Sequence, residues 1–524
     1  MANKNILLIE PGYKNKYPPL GLMKIAAYHG PYGKKDNITF IKGLENSKVF
    51  KTNWDRIYVT TLFSFEWKEI SKTIDYALSI VNGDTSRVFV GGIAASLMHD
   101  QFLEETKWRG VRFIKGLLGQ SIPEALQLDE FDEDLYADDY DSPPIEDLIP
   151  DYSILDQIDY NYPVHDAYFA YASRGCVRKC HFCGVPKLEG AQRDAKSITD
   201  LVNGIIARHG EKKDLMLMDN NVVASENYQN IIAEIRDLGF QAGAKLTRGH
   251  STAARRVDFN QGVDARILCK DIMYLKEMST IAIKPLRIAF DHIGVRKPYE
   301  TAIRMSHEVG IYELSNYMLY NFHDSPEDLY DRMKLNIDLN EELGIRIYSF
   351  PMRYQPTDMK DRSFIGEKWN KYKLRSMQII LQATHGVVSG APEFFKIAFG
   401  ENNQKFQDLL LRPQHFLFNR AWFERYGGKA EFEEFEKKYN ALSEDNKNEL
   451  GALLSSVGPV NYPGLIGKAT DSKVNSVLPY YITLSEKEER KIWVESKRIK
   501  NEQKEAQLPE DEVVEDAGLQ ENIQ

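Results

Sequence analysis

Three of the four cysteines in this 524-residue chain fall within eight positions, in the stretch Ser173-Arg-Gly-Cys176-Val-Arg-Lys-Cys180-His-Phe-Cys183-Gly184. Soft thiolates suit iron–sulfur clusters, and a C-x-x-x-C-x-x-C spacing lets one short loop wrap a cubane with each sulfur at a different corner. Three thiolates leave the fourth iron open, where a small ligand can chelate and receive an electron. The same three cysteines with His181 could instead close a structural zinc site, although paired C-x-x-C knuckles usually flank such an ion and the chain has no second knuckle. A disulfide framework is not indicated, because pairing within the cluster leaves an odd thiol. Met1-Ala-Asn-Lys-Asn5 leads into a strand with no apolar signal segment, so the expectation is a reducing cytoplasm.

Phe182 before the third cysteine and Arg174-Gly175 before the first complete the pattern C-x-x-x-C-x-aromatic-C. With it the stretch resembles the signature loop of the radical S-adenosylmethionine (SAM) superfamily, which follows the first strand of a barrel. The resemblance implies a 4Fe-4S cluster on Cys176, Cys180 and Cys183 with SAM at the open iron. It also implies reductive cleavage of SAM to methionine and a 5′-deoxyadenosyl radical that takes hydrogen from a substrate, here unidentified. An electron donor such as flavodoxin or ferredoxin is implied as well. In such chemistry the cofactor does the hard step, and the protein orients the reactants and excludes water.

The elements that must hold this loop read as alternating strands and helices. Strand-like runs occur at Tyr168 to Ser173, Leu215 to Asp219, Val257 to Val263, Arg287 to Asp291, Tyr317 to Asn321 and Arg346 to Phe350. Between them lie helical patterns, one carrying Tyr228, Ile231, Ile232, Ile235 and Leu238 on one face and stopping at Gly239, another opening at Ser325-Pro-Glu-Asp328 with a capping serine and a first-position proline. Six such units predict a parallel partial (β/α)6 barrel over 165–356, with every strand's carboxyl end on one rim. Polar residues at those ends are the site candidates: Asp219, Asn220 and Asn221 after the second strand, Gln261, Asp264 and Arg266 after the third, Asp291 after the fourth, Asn321 after the fifth and Arg353 after the sixth. Asn and Asp are also favoured in turns for purely local reasons. The resemblance adds Phe182 to the cofactor contacts. It brings the second-strand segment to the methionine amino group and later strands to the carboxylate, ribose and adenine, although Asp219-Asn-Asn stands where the superfamily usually has Gly-Gly-Glu. Cys269 has an apolar neighbourhood and is expected to be a buried spectator thiol.

Upstream, Asn5 to Pro11, Asn37 to Ile41, Arg56 to Thr61 and Arg87 to Gly92 alternate with helical stretches such as Trp67 to Asn82, predicting a doubly wound, Rossmann-like domain over 1–128. Tyr17-Pro-Pro-Leu-Gly-Leu-Met23 and Val90-Gly-Gly-Ile-Ala-Ala-Ser96 resemble the cobalamin-binding domains that precede many radical SAM barrels. Cobalamin is not the favoured ligand, because the first-strand exit Glu10 to Tyr17 carries lysines and a tyrosine where a corrin needs close backbone approach; any cobalamin there would lack a protein histidine, since that loop has none and His29 falls in a helix where its side chain is expected at solvent or a helix end. An acidic linker (129–164) follows this domain, and after the barrel come a helical C-terminal region (357–484) and a charged tail (485–524). No run approaches the roughly 20 apolar residues that span a bilayer. A net charge of −10, from 67 Lys plus Arg and 77 Asp plus Glu, argues against a nucleic-acid-coating surface without excluding one basic patch. The reading is a radical SAM enzyme, with a cobalamin-dependent methyltransferase and a noncatalytic iron–sulfur or zinc scaffold as alternatives.

Overall fold

A computed structural model describes residues 3–44, 49–119 and 144–505. The first part of the acidic linker, 129–143, and the end of the charged tail lie outside these residues. The chain forms two compact units, Met1–Lys368 with Val387–Phe395, and Trp369–Gly386 with Lys396–Gln524.

The first unit begins with a five-stranded parallel sheet of β1 (Asn5–Glu10), β2 (Asn37–Lys42), β3 (Arg56–Thr61), β4 (Val88–Gly92) and β5 (Arg112–Phe113), in the order β2-β1-β3-β4-β5. Its central strands are apolar on both faces, as a sheet covered by helices on either side requires. Strand alternation sends Leu7, Ile9, Ile57, Val59, Val88 and Val90 to one core, which the helix Trp67–Ile80 completes with Ile70, Ile74 and Ala77 at three- and four-residue spacing. Tyr58 and Phe89 therefore face the other way, their rings 5.3 Å apart. The helix Leu20–His29 ends in a histidine that is not at solvent. His29 is fully buried, with Nδ1 2.9 Å from Asp36 and Nε2 3.0 Å from the Tyr58 hydroxyl.

The remaining strands are β6 (Ala167–Ala170), β7 (Ser173–Arg174), β8 (Arg193–Asp194), β9 (Asp214–Leu217), β10 (Lys245–Arg248), β11 (Ser251–Ala254), β12 (Val257–Phe259), β13 (Leu286–Arg287), β14 (Glu313–Tyr320) and β15 (Arg346–Arg353). Two three-stranded parallel sheets, β6-β9-β12 and β13-β14-β15, run in sequence order. Between them the ladder thins to isolated parallel bridges at Val257–Ile283 and Val263–Ile288. At this seam Arg287 on β13 grips the Asp258 carboxylate of β12 through two nitrogens, both at 2.7 Å, and donates to Ser315 Oγ on β14 at 3.1 Å. The strands expected at Tyr168, Leu215, Val257 and Arg287 are thus shorter than their apolar runs, and β10 and β11 form a hairpin that the alternation did not announce.

The helix starts and stops are local. Ser325 and Asp328 form the expected capping box before the helix Pro326–Leu343, and Gly239, at φ +82°, turns the chain after Tyr228–Ile235. The second unit is helical, with a core that includes Tyr372, Phe416, Phe435, Leu450 and Tyr481. Its last described helix is Glu486–Glu505.

Candidate functional site

The cysteine loop leaves β6 and is tied at its base by the two-residue antiparallel ladder of β7 with β8. Gly175 sits at φ +74°, and a Cβ there would lie 2.1 Å from the Ala191 carbonyl oxygen. Only glycine accepts both conditions. Next to it Cys176 N–H donates to Gly190 O at 3.3 Å. The Glu189 carboxylate then fastens the two ends, accepting from Gly175 N at 2.8 Å, Arg174 Nη1 at 3.2 Å and Asn220 Nδ2 at 2.9 Å. Within the loop Cys176 Sγ accepts from Arg178 N and Cys183 Sγ from Val185 N, each at 3.4 Å. Backbone N–H groups aimed at sulfur favour charge on it, one of the levers that tune thiolate-held clusters. Burial, helped by Asp291, Cys176 and Asp264, pushes the Cys180 thiol up, and burial likewise raises Cys183.

All three cysteines are half-buried and open into one cavity of about 230 Å³. The parallel strands bring the other candidates there because their carboxyl ends share a side. Phe182, Asn220, Asn221, Gln261, Asp264, Arg266 and Asp291 line this cavity with the thiols. Asp264 is its electrostatic hub: the carboxylate accepts from Arg178 Nε of the cysteine loop at 2.7 Å and from Arg266 Nε at 2.7 Å. Burial alone would raise that carboxyl, but these hydrogen bonds win and hold it below the usual range. Asp291 goes the other way. Burial pushes it up to about 6, against the pull of Arg332 and Arg266. Asn221 is 2 % exposed; its Oδ1 accepts from Asp264 N, while Nδ2 has no hydrogen-bond partner. A buried donor left open on a cavity wall suits a ligand acceptor.

Three candidates do not line this cavity, each for a local reason. Asp219 is buried and braces the strand before the loop, accepting from Ala172 N, Ser173 N and Ser173 Oγ. Asn321, in the left-handed region at φ +68°, clamps the following segment by donating to Tyr354 O and Phe364 O and accepting from Gly366 N. Arg353 donates to Arg362 O and Phe364 O. Cys269 is half-buried rather than buried, at the end of the helix Ala265–Leu268.

His292, beside Asp291 at the end of the fourth strand-like run, also lines the cavity, as do Arg178 and Tyr317, which the sequence did not single out. Period-two alternation on β14 was the available signal for Tyr317. Burial, with Arg266 and Arg332 nearby, lowers His292, so it is neutral at pH 7. Arg332 had no sequence signal: it sits mid-helix, fully buried, and donates to the carbonyls of Phe290, Asp291 and Leu319. It fixes the backbone from which Asp291 projects. Among the described residues no three His, Cys, Asp or Glu side chains gather as a single-ion site, and His181 is exposed. No helix among them is long and apolar enough to cross a membrane.

No family model matches the chain, and no curated protein matches it. A solved structure similar to it is that of the radical S-adenosylmethionine methyltransferase TsrM from Kitasatospora setae with cobalamin and a [4Fe-4S] cluster bound. That protein is 14% identical over 68% of this chain and 78% of its own, with a TM-score of 0.45.

Proposed function

We propose that this chain is a radical SAM enzyme whose Cys176, Cys180 and Cys183 hold a 4Fe-4S cluster. One observation carries the reading: a C-x-x-x-C-x-F-C loop and the polar ends of successive parallel strands meet at a single cavity. The donor set fits the group, since three soft thiolates are the ligands of such a cluster and leave one metal corner for a second ligand. When bound, the cluster and SAM would supply one-electron cleavage of the sulfonium and a carbon radical that abstracts hydrogen. The chain's own part is positional. Asn221 Nδ2 offers an unsatisfied donor to the SAM amino acid end or sugar, and Asn220, Gln261 and Asp291 offer further polar contacts. Asp264, locked to Arg178 and Arg266, orients two guanidinium groups at the wall. Phe182, edge-on to Phe322 at 5.8 Å, supplies apolar cover that keeps water out.

In this reading β6, β9, β12, β13, β14 and β15 are a partial (β/α)6 barrel over 165–356, preceded by a Rossmann-like domain (1–128) and a linker (129–164), and followed by a helical region (357–484) and a tail (485–524). A flavodoxin or ferredoxin would deliver the electron, in a reducing cytoplasm. The test is anaerobic reconstitution followed by dithionite and SAM: wild-type protein yields 5′-deoxyadenosine, whereas Cys176→Ala, Cys180→Ala and Cys183→Ala each lose it together with the full iron complement. Any single variant that keeps both removes that cysteine from the ligand set.

Cobalamin-dependent methyl transfer, with a corrin held in the first domain, is the alternative. The β1 exit is filled: Glu10 accepts from Asn15 and Tyr162, and Lys42 Nζ lies 2.9 Å from it. A cavity at the carboxyl ends of β3 and β4 holds about 180 Å³.

A further inference from the structure

Asp264 follows β12 through the turn at Gly262, which sits at φ +82°, and caps the short helix Ala265–Leu268 by accepting from Arg266 N at 2.9 Å. The same carboxylate also holds the Arg266 side chain. Its Oδ1 accepts from Arg266 Nε at 2.7 Å, and its Oδ2 accepts from Arg266 Nη2 at 3.0 Å and from Arg178 Nε at 2.7 Å. An ionised carboxylate has about four lone-pair sites, so Asp264 is saturated and has none left for a ligand. What it does is fix Arg266, by backbone and side chain at once.

Fixed there, Arg266 meets the cysteine loop. Asp264 engages Nε and Nη2, which leaves Nη1, and Arg266 lines one cavity with the three thiols. The bond to Asp264 raises the guanidinium, and the Cys180 sulfur beside it raises it further. In return Arg266 pulls the Cys180 thiol down against burial and Asp291. The loop itself supplies a backbone donor to Cys176 Sγ from Arg178 N and to Cys183 Sγ from Val185 N, each at 3.4 Å. Among the described residues no backbone N–H bonds the Cys180 sulfur, and Arg266 stands where such a donor is missing.

We infer that Arg266 sets the potential at which a cluster on Cys176, Cys180 and Cys183 accepts its electron, acting through the Cys180 sulfur. This rests on the cluster assignment proposed above and goes beyond it. Reduction adds one electron and breaks no bond, so negative charge on the sulfurs rises and a cation beside one of them favours the reduced state. Net charge and hydrogen bonds to sulfur are the levers that set such potentials.

The test is a redox titration of the full chain, reconstituted anaerobically without SAM and followed by electron paramagnetic resonance, with dithionite as the reductant. It is run at about pH 8, where Asp291, raised to about 6, is ionised. Arg266→Gln should shift the equilibrium about tenfold towards the oxidised cluster, the ratio for losing one hydrogen bond from a charged donor. For one electron that lowers the potential by about 59 mV. Arg266→Lys, which keeps the charge, should recover most of the shift, and Lys270→Gln, which removes an equal charge from the exposed position just beyond the same helix, should leave the potential where it is. Iron content is measured on every protein. A wild type that holds no cluster refutes the cluster assignment itself. Filled wild-type and Arg266→Gln proteins with equal potentials, a full shift in Arg266→Lys, or an equal shift in Lys270→Gln overturns the inference alone. If Arg266→Gln does not fill, Arg266→Met, which keeps an unbranched stem, is read in its place; failure of both to fill gives Arg266 a part in assembly and overturns the tuning role.

Discussion

The Asp219 carboxyl is held by three donors from Ala172 and Ser173, yet burial dominates and pushes it up to about 6 from an ordinary 3.8. A raised carboxyl weakens the fold as it ionises. Below about pH 4 it is protonated in folded and unfolded chains alike, and above about pH 6 the folded state must carry the charge in a site that resists it. Stability of the wild type relative to Asp219→Asn should therefore fall by about 3 kcal/mol between those limits, read as the difference between their thermal midpoints across the pH series; a flat difference refutes the assignment. Cys269→Ala should leave iron content and SAM cleavage unchanged, as its sulfur does not line the cysteine cavity. Loss of turnover at constant iron would bring that thiol into the chemistry. The thiols and most of their polar neighbours could be read from spacing and from their position after apolar runs. Asn321 and Arg353 could not be told from cavity residues, because a left-handed turn and a bond to a later loop carbonyl depend on a chain path that no short-range pattern encodes. Arg332 was hidden for the opposite reason: a charge within a helix reads as solvent-facing, and here it is fully buried.

At the scale of elements, four strands of the first sheet were legible as apolar runs flanked by turns, whereas β5, only Arg112–Phe113, is too short to show a pattern. The second set was legible in number and order but not in extent, as β12 and β13 have only three and two residues in their ladders. Where backbone pairing thins, Arg287 substitutes side-chain bonds, joining Asp258 on one sheet to Ser315 on the other. Removing one partner strands a buried charge, typically at about 3–5 kcal/mol. Asp258→Ala should lower stability by about that amount in urea unfolding, whereas a loss below about 1 kcal/mol, the range of exposed pairs, would show that the bridges Val257–Ile283 and Val263–Ile288 hold the seam unaided.

For the whole molecule, the first unit contains the five-stranded sheet, both three-stranded sheets and the cysteine loop, and the segment from Arg174 to Glu189 lines the cysteine cavity in its middle and the cavity beyond β3 and β4 at its ends. Purification with hydroxocobalamin should give well under one corrin per chain by absorbance, given the packed β1 exit. Stoichiometric corrin would restore the methyltransferase reading. Gly175 sets a limit of another kind. Its α-carbon has no room for even a methyl group, while Val177, Lys179 and His181 between the thiols are exposed. Across the relatives of this chain, substitutions should accumulate freely at those three positions and be purged at the glycine, so that a sequence retaining all three cysteines with a bulkier residue before the first marks a lineage whose loop has been rerouted.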